Sequence, residues 1–122
     1  MDKIVTEKAP AAIGPYSQGV CAGEWVFTSG QIPVDPTDGS IPEGITAQAE
    51  QACKNVGAVL AAAGISFENV VKATCFLADM ADFTPFNAVY ETYFVSKPAR
   101  SCVAVRALPK GVLCEIEAIA RK

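Results

Sequence analysis

The chain has no histidine. That absence removes the Ser-His-Asp and Cys-His nucleophile schemes and most zinc sites at once. There is no phosphate-cradling P-loop and no G-x-G-x-x-G dinucleotide turn either. Any acid or base must be Glu, Asp, Tyr, Lys or a bound water. Clustered positive charge is also missing: apart from the terminal Arg121-Lys122, no Lys or Arg adjoins another, and the net charge is -3. A phosphate-backbone footprint needs such clusters, so no nucleic-acid partner is expected. No apolar run approaches the roughly 18 residues that would span a bilayer, so no membrane is expected either. The five cysteines, Cys21, Cys53, Cys75, Cys102 and Cys114, form no C-x-x-C pair. They read as reduced thiols of a cytoplasmic protein, packing as small hydrophobes, with only Cys102 close to a candidate site.

What the chain does have is apolar surface. Hydrophobic residues make up 51% of 122 positions, rich for one domain of ordinary size covering residues 1–122. The surplus points to a homo-oligomer. Alternating and β-branched stretches predict strands over Lys3 to Glu7, Tyr16 to Ala22, Glu24 to Ile32, Asn69 to Leu77, Arg100 to Arg106 and Val112 to Ala120. In the third, Trp25, Phe27, Ser29 and Gln31 share one face, and Val26, Thr28, Gly30 and Ile32 the other. Ile45, Ala49, Ala52, Cys53, Val56, Leu60 and Ala63 make one helical stripe, closed by Gly64. Gly57 within it costs about 1 kcal/mol against Ala and implies a close neighbour. Asp82 is the expected cap of a second helix, with Pro85 in its first turn and Phe83, Phe86, Tyr90, Tyr93 and Phe94 as its buried stripe. The element order strand, strand, strand, helix, strand, helix, strand, strand predicts an α+β fold: a mixed six-stranded sheet with two helices on one face. The other face is then the oligomer surface.

Within this frame, two charged side chains stand out. Arg100 heads an apolar strand, where it is either a structural ion pair or a two-pronged clamp for a small carboxylate. Glu115, expected in a neighbouring strand, is either the partner of a cation or an acid acting on whatever Arg100 holds. Glu115 and Glu117 point the same way, but without a third ligand they make no metal site. Ser29-Gly30 lies in an otherwise bulky strand, where glycine permits close approach. Tyr16 is an amphipathic anchor. Asn87, on an apolar helix face with Phe83, serves a local cap or a ligand. Together these sketch a small pocket with an anion clamp, an acid and aromatic walls, and nothing in it calls for a cofactor.

The runs Ala12-Ile13-Gly14-Pro15-Tyr16-Ser17-Gln18, Phe27-Thr28-Ser29-Gly30-Gln31-Ile32-Pro33, Pro98-Ala99-Arg100-Ser101-Cys102-Val103, Leu108-Pro109-Lys110 and Glu115-Ile116-Glu117-Ala118-Ile119-Ala120 resemble the RidA (YjgF/YER057c/UK114) family of reactive-intermediate deaminases. The resemblance covers nearly the whole chain. It implies a chorismate-mutase-like two-layer fold, a homotrimer with a barrel-like centre, and clefts between subunits. It also implies hydrolysis of 2-iminobutanoate and 2-iminopropanoate, the enamine/imine products of pyridoxal-phosphate dehydratases, to 2-oxo acids and ammonia, without cofactor or metal. By the same resemblance Arg100 binds the substrate carboxylate, and Glu115 activates water with the Cys102 backbone carbonyl. Ser29 and Gly30 line the pocket, and Tyr16, Phe83 and Asn87 come from the adjacent subunit. Two departures are visible: the link Val95-Ser96-Lys97-Pro98-Ala99 is about four residues short, and Arg106 stands one place earlier than usual. A non-catalytic carboxylate-binding module and an RNA-cleaving translation inhibitor are the alternatives.

Overall fold

A computed structural model describes all residues 1–122. Its elements run β1 (Asp2–Ile4), β2 (Gly19–Ala22), β3 (Trp25–Thr28), α1 (Ile45–Ala62), β4 (Val70–Leu77), α2 (Phe83–Tyr93), β5 (Ala99–Ala104) and β6 (Cys114–Arg121), in the expected order. The six strands form one sheet ordered β1-β2-β3-β6-β4-β5. Only β4 and β5 are parallel, so the sheet is mixed. Both helices lie on one face, where 21 buried residues, including Val56, Leu60, Phe86, Leu77 and Ile116, make the core. On the uncovered face Trp25, Phe27 and Val103 remain exposed.

The first helix ends as its sequence dictates, with Gly64 at a φ of 78°, a conformation that costs glycine nothing. Gly57 has its neighbour: an added Cβ would stand 2.8 Å from the Phe67 ring. The cap of α2 differs from expectation. Asp82 makes no side-chain cap bond; Asp79 instead accepts from the Ala81 N–H and caps a short turn leading into the helix.

The first three strands are shorter than predicted because side chains take over the backbone groups. Gln18, 4% exposed, accepts from Thr6 N–H and donates to the carbonyls of Thr6, Ala9 and Pro10. That amide replaces a strand ladder, so β1 stops at Ile4 and the segment up to Tyr16 is a looped arm. Tyr16 itself sits in a tight turn, its N–H bonded to the Gly14 carbonyl at 2.8 Å.

The third strand departs further. Phe27 pairs with Ile119, yet Gln31 pairs with Ile116. Four steps on one strand face three on the other, which is a β-bulge carrying one extra residue. Within it the Ala118 N–H is satisfied by Thr28 Oγ1 at 3.0 Å. The bulge reverses the expected facing of Gly30, which turns away from the helices.

Candidate active site

Arg100 and Glu115 are not neighbours. β4 lies between their strands. Arg100 pairs with Ala73, which pairs with Ala118, three residues beyond Glu115. Two strand spacings and three residues put the two Cα atoms about 14 Å apart. The side chains also leave by opposite faces. Arg100 shares the helix side with buried Ala73, whereas Glu115 alternates with buried Cys114 and Ile116 and so faces away from the helices. The candidate residues therefore fall into two groups.

The first group surrounds Arg100, which is half-buried. Its Nη1 donates to Asn87 Oδ1 at 2.7 Å. Its guanidinium carbon lies 4.7 Å from the Tyr90 ring centre and 5.6 Å from that of Phe83. These three α2 residues are spaced four and three apart and so project from one face. No carboxylate touches Arg100; the only ion pair in the chain joins Arg121 and Glu24 at the surface. The structural ion pair left open above is thus absent, and most of the five N–H donors of the guanidinium are uncommitted. A groove of about 700 Å³ opens beside it, walled in part by Asn87, Tyr90, Val95 and Pro98. The short link forms its rim, with Ser96 Oγ bonded to the Val70 carbonyl at 2.7 Å and Lys97 at a φ of 50°.

Main-chain polarity at β5 adds to this group. The Val105 N–H bonds the Leu77 carbonyl at 2.9 Å. Strand backbone groups alternate in direction, so the N–H and C=O of Cys102 and Arg100 point to the free edge of the sheet. The Cys102 thiol is less available: burial raises its pKa, against the pull of Arg100. Cys75, its paired neighbour on β4, is pushed by burial to about 12.

The second group surrounds Glu115. A Cβ on Gly30 would stand 2.8 Å from Glu115 Cδ and run into the carboxylate. The glycine expected to admit a backbone or a ligand therefore admits this side chain. Burial, and secondarily Glu117, raise the Glu115 pKa, the direction in which a carboxylate becomes the stronger proton acceptor. Ser29 Oγ donates to the Ser17 carbonyl. Tyr16, half exposed, lines with Gly30 a pocket of about 220 Å³.

Two sequence expectations are corrected by this arrangement. The resemblance implies that Phe83 and Asn87 come from a different subunit than Arg100, but both contact it within one chain, Asn87 by a hydrogen bond and Phe83 by its ring. Glu115 was assigned to a strand adjoining that of Arg100, but β4 is inserted between them. Tyr90 was read only as core; its spacing from Asn87 and Phe83 was the available signal that it belongs with them. No group of three or more Cys, Asp or Glu is placed to hold a metal ion, and no helix is long and apolar enough to cross a membrane.

Comparison with known proteins places the chain in a family. Residues 6–122 match the family model described as Endoribonuclease L-PSP. The chain is 54% identical over 121 residues to the 2-iminobutanoate/2-iminopropanoate deaminase of Salmonella typhimurium, covering 96% of this chain and 94% of that protein. It superposes on Escherichia coli TdcF with bound serine at a TM-score of 0.97 and 48% identity, covering 100% and 99% of the two chains. It superposes on RidA from an Antarctic Psychrobacter at 0.96 and 45%, covering both chains fully. A family model matched over all but five residues, and 54% identity to a relative covered almost whole, show that this chain belongs to the Endoribonuclease L-PSP family, in which RidA proteins lie.

Proposed function

We propose that the protein is a 2-iminobutanoate/2-iminopropanoate deaminase, hydrolysing reactive imines to 2-oxo acids and ammonia. The observation that carries the reading is Arg100: a guanidinium cradled by an amide oxygen and two aromatic rings, with no internal acid, in a chain 54% identical to such a deaminase. A planar carboxylate supplies the two parallel acceptors that this fork lacks. Serine, the ligand named for TdcF, carries the same carboxylate.

Since Arg100 and Glu115 leave opposite faces of the sheet, one site needs two copies. One copy contributes Arg100, Phe83, Asn87 and the outward main chain of Cys102. The other contributes Tyr16, Ser29, Gly30 and Glu115. The exposed Trp25, Phe27 and Val103 supply apolar surface for such an assembly, a homotrimer in this reading. The substrate carboxylate docks on Arg100, leaving C2 against a water held by the Glu115 carboxylate and the Cys102 carbonyl. Glu115 takes a proton as the water oxygen bonds to C2 and the C=N electron pair moves to nitrogen, and it returns that proton to the nitrogen to give the carbinolamine. Glu115 then passes the hydroxyl proton to the amine as the C–N bond breaks, which forms the C2 carbonyl, releases ammonia and restores the carboxylate. The substrate is already reactive, so positioning and electrostatics account for most of the acceleration.

Arg100→Ala removes two charge-assisted hydrogen bonds of about 1.5–3 kcal/mol each, which predicts a loss of roughly 10² to 10⁴ in kcat/KM. The assay couples a threonine dehydratase to keto-acid appearance. Wild-type activity in the alanine variant would sink the assignment. The RNA-cleaving alternative finds no support in the charge distribution, which offers no basic stripe.

A further inference from the structure

A guanidinium on a flexible stem meets a carboxylate with two parallel hydrogen bonds only when its plane is fixed. We propose that Tyr90 is a positioning residue for carboxylate recognition, its buried ring serving as the platform that orients the Arg100 guanidinium. This rests on the reading of Arg100 as the carboxylate clamp.

The geometry is a stack. The Tyr90 ring lies parallel to Phe94, with centres 4.2 Å apart and planes 8° from coplanar. Phe86 follows on the same helix at 6.0 Å and 28°. The ring is therefore held along α2 by neighbours one turn before and one turn after, and Arg100 lies 4.7 Å from its centre. A guanidinium packed against an aromatic ring keeps its in-plane N–H groups free while access to the packed face is closed. Asn87 Oδ1 takes one of those N–H groups, which removes rotation within the plane. Arg100 itself lines the groove, so the donors that Asn87 leaves free are available to a ligand there.

The hydroxyl adds an independent observation. Tyr90 is only 8% exposed, and its oxygen is the one buried side-chain polar atom with no hydrogen-bond partner. No bond made by the hydroxyl accounts for the residue's place; its contacts are those of the ring. A ring without the hydroxyl should therefore serve, and a side chain without a ring should not.

The test measures 2-oxobutanoate binding by calorimetry, with turnover assayed in parallel, for the full chain. Tyr90→Leu is expected to weaken binding and raise KM by roughly 3- to 30-fold, with kcat at saturation little changed. Tyr90→Phe should bind within about twofold of the parent. Val26→Ala, a truncation of a fully buried residue on β3, three strands away from that of Arg100, should do the same and thereby control for general loosening of the core. If leucine at 90 unfolds the chain, Tyr90→Met fills similar space without a ring and carries the same expectation. Parent-like affinity in a folded Leu or Met variant would overturn the proposal, as would equal weakening by Val26→Ala. Arg100→Ala in the same series keeps the two readings apart: unchanged affinity there would refute the clamp, whereas weakened affinity there with normal affinity in Tyr90→Leu would refute only the platform.

Discussion

Replacing Gly30 with alanine isolates the role of Glu115 with a single methyl group. That carbon would stand 2.8 Å from Glu115 Cδ and 3.2 Å from Cγ. A comfortable carbon–carbon contact is about 3.5–4.0 Å, so the carboxyl group must retreat by roughly 1 Å. Gly30 is not among the residues with positive φ, so alanine suits the backbone. The atom displaced is the mobile end of a side chain, and the fold should survive with Tm within a few degrees of the parent. The chemistry should not survive equally well, since a misplacement of about 1 Å in a reacting group costs on the order of 100-fold. Imine hydrolysis measured by keto-acid formation is thus expected to fall by about 10²-fold in kcat, while 2-oxobutanoate binding, anchored at Arg100 on the other group, is retained. A folded Gly30→Ala protein with near-parental kcat would refute the assignment of Glu115 as the group that activates water. Loss of keto-acid binding in step with kcat would show instead that the methyl blocks the ligand.

Three further outcomes follow from the same geometry. Burial and then Glu117 raise the Glu115 pKa above the ordinary glutamate value of 4.5, so activity that needs the carboxylate should decline on acidification through that raised pKa, earlier than for an ordinary glutamate; a kcat profile flat down to pH 4.5 would contradict this. The linkage sign for stability runs the other way. A folded pKa above the unfolded one means that the ionised group costs stability above the folded pKa, and that this cost disappears below the unfolded pKa. Glu115→Gln should therefore abolish turnover yet raise Tm near neutral pH, with no gain below pH 4.5, as scanning calorimetry across pH can check. Asn55, fully buried, donates to the Ile32 and Val34 carbonyls at 2.9 Å each; leucine there strands both, and urea titration should show a loss of about 2–5 kcal/mol. A loss under about 1 kcal/mol would mean that water reaches those carbonyls.

The fold was largely legible because its signals are local. The apolar stripe from Ile45 to Ala63 and the stop at Gly64 need no distant partner to be read, and neither does the β-branched run of β4. The site was legible as a set of residues but not as an arrangement. That Arg100 and Glu115 face apart follows from β4 entering the sheet between β5 and β6, and no local pattern records strand order. The bulge at Ser29-Gly30 is likewise a count of residues on β3 against residues on β6, invisible in either strand alone. Gln18 passed for an ordinary strand residue because its work, holding four backbone groups of the arm, lies 8 to 12 positions away. Tyr90 fits the apolar stripe as a core ring, and only its spacing of three from Asn87 and seven from Phe83 signals that it also meets the cation they touch.

The placement of Arg100 and Glu115 on opposite sides of the sheet has a genetic consequence. If each centre borrows from two polypeptides, an Arg100→Ala allele and a Glu115→Gln allele, each inert by itself, damage complementary halves. Expressed together, or mixed under conditions that let protomers exchange, they should reconstitute centres in which the intact arginine of one product meets the intact glutamate of the other. Two inactive variants would then restore imine hydrolysis that neither performs alone, and catalysis would become a property of the mixed population.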